Sequence, residues 1–148
     1  MRIHLIIVGC EDMVPYMTDN RFKVIVHPAF GRCLAVTDQI QKGSTVAAAN
    51  GQVLDHPTIH SVQVAPRQHI HDPNFAGLIA HCCEPNLFFD PSTRTFTALR
   101  TIYPGDILTQ DYELTEDALV TPFDCACGSK NCRGRIVGRL ARAQDCVR

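Results

Sequence analysis

A chain of 148 residues, 45% apolar and 20% charged, carries enough apolar material for one folded domain and is too short for two ordinary ones. Fourteen Lys plus Arg against fifteen Asp plus Glu give a formal charge of −1 with His neutral. That balance argues against a nucleic-acid coat or a polybasic membrane binder.

The first twenty residues (1–20) read as an N-terminal extension, an extra strand followed by a loop. Their apolar run Leu5-Ile6-Ile7-Val8 is too short for a signal-peptide core or a bilayer span. The expectation is therefore an intracellular protein, cytoplasmic or nuclear, whose eight Cys stay reduced and favour metal ligation over disulfides. Phe22 to Val26 alternates loosely and ends at His27-Pro28, a strand followed by a turn, and Leu34-Ala35-Val36 is a second short strand. Lys42-Gly43 turns the chain into Thr45 to Ala48. Asn50-Gly51 then predicts a hairpin into Gln52-Val53-Leu54. Ile59 to Val64 alternates as a strand, and Phe75 to His81 is the best short helix. Leu87-Phe88-Phe89 and Thr95 to Leu99 bracket a turn at Asp90-Pro91-Ser92. Tyr103 to Asp106 turns again before a strand at Ile107-Leu108-Thr109, and Ile136 to Ala143 reads as a terminal helix. Many short strands between Gly and Pro turns predict a mostly β domain.

Two polar groupings stand out. His56, His60, His69 and His71 share one stretch without an accompanying carboxylate or cysteine pattern, and read as surface and turn histidines. Asp72 and, separately, His27 are the places from which an unexpected acid or base would come. The last nineteen positions gather Lys130, Arg133, Arg135, Arg139, Arg142 and Arg148, opposed only by Asp145. This reads as a solvated basic helix or tail, with attraction to an acidic partner as the alternative.

Cys125, Cys127 and Cys132 form a C-x-C-x4-C group in which Gly128 lets the chain turn back on one centre. Three thiolates leave a tetrahedral zinc one ligand short, and Cys82 or Cys83 is the natural fourth donor. Such a structural Zn2+ would clamp the C-terminal segment onto the region around residue 83.

That region carries the most specific pattern. His81-Cys82-Cys83-Glu84-Pro85-Asn86 is followed by Leu108-Thr109-Gln110-Asp111-Tyr112 and then by the cysteine group ending Cys132-Arg133-Gly134. With Gly31-Arg32-Cys33-Leu34-Ala35, Gln39 to Gly43, Asn50-Gly51-Gln52-Val53 and Ile102 to Thr109 ahead of them, the order resembles the SET-domain family of protein lysine methyltransferases with a post-SET zinc segment. The resemblance runs from about Phe22 to Gly138. It implies small curved β-sheets around a pseudoknot, with a SET domain over 21–119, a post-SET zinc segment over 120–138 and a basic C-terminal tail over 139–148. It also implies S-adenosylmethionine as methyl donor and completion of the zinc site by Cys83, with Cys125, Cys127 and Cys132. Tyr112 takes the catalytic place, lining the methyl passage and orienting the amine. The cofactor contacts implied are Arg32, Cys33, Ala80 and His81, largely through backbone groups, with Tyr112, and Phe123 over the adenine; Asn86 braces the pseudoknot.

Four positions depart from the family's pattern. Ala80 stands where an Asn normally hydrogen-bonds the methionine part of the cofactor, a loss of about 10- to 100-fold in affinity. Cys33 replaces the second glycine of the cofactor loop, Ala47-Ala48-Ala49 carries no aromatic, and Gln52 replaces a Glu. The reaction implied is methyl transfer to a lysine amine of a protein or peptide, without membrane or direct nucleic-acid binding. Two alternatives accompany it: a SET scaffold turned to a small-molecule substrate, and a catalytically silent binding module. Cofactor binding and a turnover assay separate the three. Specificity would reside in a groove built partly by about Asp55 to Asn74.

Overall fold

A computed structural model describes residues 19–147. Twelve short strands and two short helices follow one another: β1 (Phe22–His27), β2 (Gly31–Val36), β3 (Thr45–Ala48), β4 (Gln52–Leu54), β5 (Ser61–Ala65), β6 (Gln68–His71), β7 (Ala80–His81), β8 (Leu87–Asp90), β9 (Thr95–Ala98), β10 (Thr109–Gln110), α1 (Tyr112–Thr115), β11 (Phe123–Asp124), β12 (Arg135–Ile136) and α2 (Arg139–Asp145). They make five small sheets. β1 and β2 form an antiparallel hairpin, β3-β9-β8 and β4-β6-β5 are three-stranded, and β7/β10 and β11/β12 are two-stranded.

The core gathers apolar residues from most of these pieces, with Leu34, Val36, Val62, Ile70, Ile79, Leu87, Phe96, Ile102 and Leu108 almost fully buried. Phe75 packs tilted on Phe22 and edge-on to Phe96, which stacks obliquely on Phe89, so one aromatic row joins hairpin and sheet. The strands are short because each alternates for only a few residues before a Pro, Gly or Asp turn.

The crossing that places the site is the parallel pairing of β7 with β10, Ala80 opposite Thr109 and His81 opposite Gln110. Asn86 fixes it: its Nδ2 donates to the Ile107 carbonyl (2.8 Å), and its Oδ1 accepts from the Thr109 amide (2.8 Å). Buried and satisfied on both sides, the side chain substitutes for ladder bonds that two-residue strands cannot supply. The mostly β, pseudoknotted arrangement implied by the resemblance is the one observed.

Several local expectations are corrected. Residues 1–18 of the extension lie outside the described residues. Phe75 to His81 is not a helix: a single 3-10 turn covers Ala76–Leu78, and Ala80–His81 is strand β7. The apolar run needed for a helix face is drawn instead into the crossing with β10. Asn50-Gly51 makes no hairpin, since β3 pairs with β9 and β4 with β6. Gly51 is required by proximity, because a Cβ there would sit 1.9 Å from the His71 carbonyl oxygen. The terminal helix begins at Arg139, after Arg135–Ile136 has paired with β11. His69 is not a surface histidine but is buried on β6, whereas His60 and His71 are half-buried. Asp72 is no free acid: its carboxylate accepts from the backbone amides of Asn50, Asn74 and Phe75 and so holds two loops. His27 accepts from the Ala29 amide and stacks on Phe30.

The basic C-terminal segment is exposed as expected, α2 burying none of its residues, but most of its arginines are paired. Arg133 pairs with Asp111 and Glu113, Arg142 with Glu113, Arg139 with Asp117, and Arg135 with Asp124. These four arginines find acidic partners within the chain. No helix among the described residues is long and apolar enough to cross a membrane.

Candidate active site and metal centre

Tyr112 opens α1 directly after β10, where Asp111 caps the helix by accepting from the Glu113 amide (3.1 Å). The Tyr112 backbone N–H donates to His81 Nδ1 (3.1 Å), so the pseudoknot crossing sets the tyrosine's position from below. Its hydroxyl donates to the Ile79 carbonyl (2.6 Å). Burial, with Glu116 nearby, pushes the phenol's pKa far up, so the group is neutral. With its proton held by Ile79, the oxygen retains lone pairs to accept from another donor.

Two cavities meet at this residue. The first, about 190 Å3, is lined by Pro57, Ile59, Gln110, Tyr112, Glu116 and Leu119 among others, and ends at Phe123. The second, about 220 Å3, is lined by Phe30, Ala80, His81, Tyr112, Phe123 and Ala126 among others. Among the described residues only Tyr112 and Phe123 line both. Their rings lie 6.1 Å apart, nearly perpendicular, and each also packs against His81, at 5.2 and 5.7 Å. The arrangement is two compartments with an aromatic partition between them, a geometry suited to holding two reactants on opposite sides of one small group.

Of the residues singled out from sequence, the structure brings Ala80, His81, Tyr112 and Phe123 to the second cavity. Arg32 and Cys33 are on β2 and do not line it; Arg32 is exposed, while Cys33 is fully buried with its thiol pKa raised by that burial. Ala80, at the cavity wall, presents only a methyl group, its backbone N–H being bound to the Leu108 carbonyl (3.1 Å).

Beside the second cavity the sulfurs of Cys83, Cys125, Cys127 and Cys132 all lie within 4.8 Å of one another. Four thiols at such separations fit the tetrahedral, all-sulfur set that zinc prefers, with Zn–S near 2.3 Å. Cys83 is thus the fourth sulfur of the cluster and would be the fourth donor, and Cys82 stays outside the set, its Sγ turned to the Glu84 carbonyl. Because His81 Nδ1 accepts from Tyr112, the ring's proton resides on Nε2, which faces Cys83 Sγ at 3.4 Å. Burial lowers the pKa of His81, keeping it neutral for both contacts. One imidazole therefore joins the cysteine cluster to the tyrosine.

Sequence reading assigned no role to Gln110, Glu116 or Arg133. Arg133 follows the last cysteine and places its guanidinium against buried Asp111 (2.5 and 2.8 Å) and Glu113 (3.1 Å), the residues flanking Tyr112. Glu116, one helical turn beyond Tyr112, is pushed up to about 7 by burial, against the Gln63 amide and Thr115 hydroxyl that bind its Oε1. The spacing Tyr112 to Glu116 was the available signal, since residues four apart share a helix face.

No protein-family model matches the chain. It is 41% identical over 83 residues to methyltransferase flvH of Aspergillus flavus, covering 55% of this chain and 47% of that protein. It is 39% identical over 66 residues to the histone-lysine N-methyltransferase trithorax of Drosophila melanogaster, 40% of this chain and 2% of that protein. The chain thus spans about half or far less of the curated relatives it matches. Among solved structures, KRYPTONITE in complex with mCHH DNA, H3(1-15) peptide and SAH superposes with a TM-score of 0.65 at 26% identity, over 77% of this chain and 29% of that one. The methyltransferase domain of human SETMAR superposes with a TM-score of 0.62 at 21% identity, over 79% of this chain and 58% of that one, a likeness of fold.

Proposed function

From a chain of the SET-domain family with a post-SET cysteine cluster, we infer an S-adenosylmethionine-dependent methyltransferase whose acceptor is an amine, in the first instance a lysine side chain of a protein or peptide. The observation that carries this is the pair of cavities meeting at Tyr112 and Phe123. The methyl donor belongs in the second cavity, against Ala80, His81 and Phe123, and when bound it supplies a sulfonium methyl group. The acceptor belongs in the first.

In this reading the chain's own residues work mainly by alignment. The Tyr112 oxygen, its proton engaged by Ile79, accepts an N–H of the incoming amine and directs the nitrogen lone pair through the aromatic partition. His81 and Asn86 hold the backbone beneath it, and Arg133 and Arg142 fix the flanking carboxylates. The apolar walls exclude water from the amine. The cysteine cluster would hold Zn2+ as a structural clamp and takes no part in the transfer. Support for the donor and for a histone-type acceptor comes from the SAH and H3 peptide of the KRYPTONITE complex.

A small-molecule amine is the second acceptor class, for which the first cavity, about 190 Å3, has room. Radiolabelled methyl transfer from S-adenosylmethionine to a panel of lysine peptides and free alkylamines tests both. Transfer to either, reduced about 100-fold or more in Tyr112→Phe, supports the reading. Cofactor binding without transfer to any amine would overturn it.

A further inference from the structure

The first cavity has a polar end that the Tyr112 mechanism leaves unused. Gln110 is 4% exposed, lines this cavity, and its Oε1 has no hydrogen-bond partner among the described residues. Glu116, 6% exposed, lines the same cavity. Its Oε1 is held by the Gln63 amide (2.9 Å) and the Thr115 hydroxyl (3.2 Å), whereas Oε2 carries no hydrogen bond among the described residues. The group facing Oε2 is His69 Nδ1, 4.0 Å away and itself unpartnered. A buried amide oxygen without a donor costs free energy unless something satisfies it, and the Glu116 carboxylate lining the same cavity has an oxygen free to bind.

We propose that the acceptor amine donates an N–H to Gln110 Oε1 and surrenders its proton to the Glu116 carboxylate, so that these two residues select and activate it. The proposal deepens the methyltransferase reading and rests on it. The unpartnered Gln110 Oε1 and the ionised Glu116 carboxylate are acceptors, and the Tyr112 proton is already committed to Ile79. The site therefore suits a ligand end made only of donors, which an ammonium is and a carboxylate or phosphate is not. Pro57, Ile59, Leu119 and Val120 add an apolar wall for an alkyl arm.

The step balances without a further reactant. Glu116 takes one proton from the ammonium, leaving a neutral amine. The nitrogen lone pair forms the N–C bond to the sulfonium methyl while the C–S pair returns to sulfur, giving a methylammonium and a neutral thioether. The Glu116 proton then leaves to solvent. Charged and titratable neighbours are His69 on β6, Tyr112 on α1, Asp117 beside Glu116, and Arg139 on α2. His69 is held neutral by burial, and Arg139 is engaged by Asp117. With Glu116 pushed up to about 7, the carboxylate that binds and deprotonates the amine is populated above that pH.

The test follows the Gln110 side-chain amide by 15N NMR in the zinc-loaded chain during titration with n-butylamine hydrochloride, with n-butanol as the isosteric control and SAH titrated in parallel. A saturable shift with the amine and none with the alcohol is expected, weakened about tenfold or more in Glu116→Gln and, followed there by the Tyr112 backbone amide, in Gln110→Met. The rise of kcat/KM through pH 7 should vanish in Glu116→Gln. Equal responses to amine and alcohol, or an amine affinity unchanged in both variants, would overturn the proposal. SAH binding without an amine response would overturn it alone. An amine response without SAH binding would support the amine site and overturn the methyltransferase reading instead.

Discussion

Arg133→Leu should destabilise the chain by about 2–3 kcal/mol and displace Tyr112 without touching it. The Asp111 carboxylate is 5% exposed and receives two guanidinium bonds at 2.5 and 2.8 Å; Glu113, 6% exposed, receives another at 3.1 Å. Removing one partner of a buried pair costs about 3–5 kcal/mol. Arg133 is itself 34% exposed, so solvent screening reduces this to about 2–3 kcal/mol. For a domain of this size that is a drop in Tm of about 5–10 °C. Glu113 keeps Arg142, but Asp111 is left with its helix-capping bond and a neutral His81 at 3.8 Å. The assay is a double-mutant cycle with Asp111→Asn, by urea denaturation of the zinc-loaded protein. A coupling of about 1–3 kcal/mol is expected. Strict additivity would refute the claim that this pair locks the cysteine segment to the tyrosine.

Other outcomes follow from the same geometry. Glu116 has a folded pKa of about 7, above its ordinary 4.5, so its contribution to stability is complete below 4.5 and lost as pH rises through 7. Glu116→Gln should therefore be the more stable protein by about 3 kcal/mol at pH 8 and lose that advantage near pH 4; a stability difference independent of pH would contradict this. Zinc removal by a chelator should abolish protection of the Arg135–Ile136 amides in hydrogen exchange while sparing β8 and β9, because the cysteines join the C-terminal segment to the crossing. Uniform loss across the sheets would contradict the clamp. Ala80→Asn should tighten SAH binding about tenfold or more, by supplying the polar partner that a methyl group lacks; unchanged calorimetric affinity would show that Ala80 does not face the cofactor.

The metal centre was legible because three of its ligands are neighbours in the chain, and the pattern around His81 and Asn86 supplied the fourth. That Tyr112 would lie near this cluster was legible for the same reason, its motif being local; the structure places it on the wall of both cavities. What escaped sequence reading depends on contacts between distant segments. Gly51 reads as a hairpin residue, yet its cause is the His71 carbonyl arriving from another strand. The ion pairs of the C-terminal arginines escaped because their partners, Asp111, Glu113 and Asp117, are 22 to 29 residues earlier. Glu116 beside Asp117 resembles an exposed acidic pair, but the Gln63 backbone draws the first inward and the Gln63 side chain binds the second. Burial, which no local pattern displayed, turned an ordinary carboxylate into one that titrates near neutrality.

The central claim is that the cavity walled by Ala80, His81, Tyr112 and Phe123 receives the methyl donor. Calorimetric titration of SAH into the zinc-loaded chain tests it most directly. Saturable binding, weakened about tenfold or more in Phe123→Ala through loss of an aromatic wall, is the predicted result. No heat of binding at millimolar SAH from a chain that retains its fold and its zinc would contradict it.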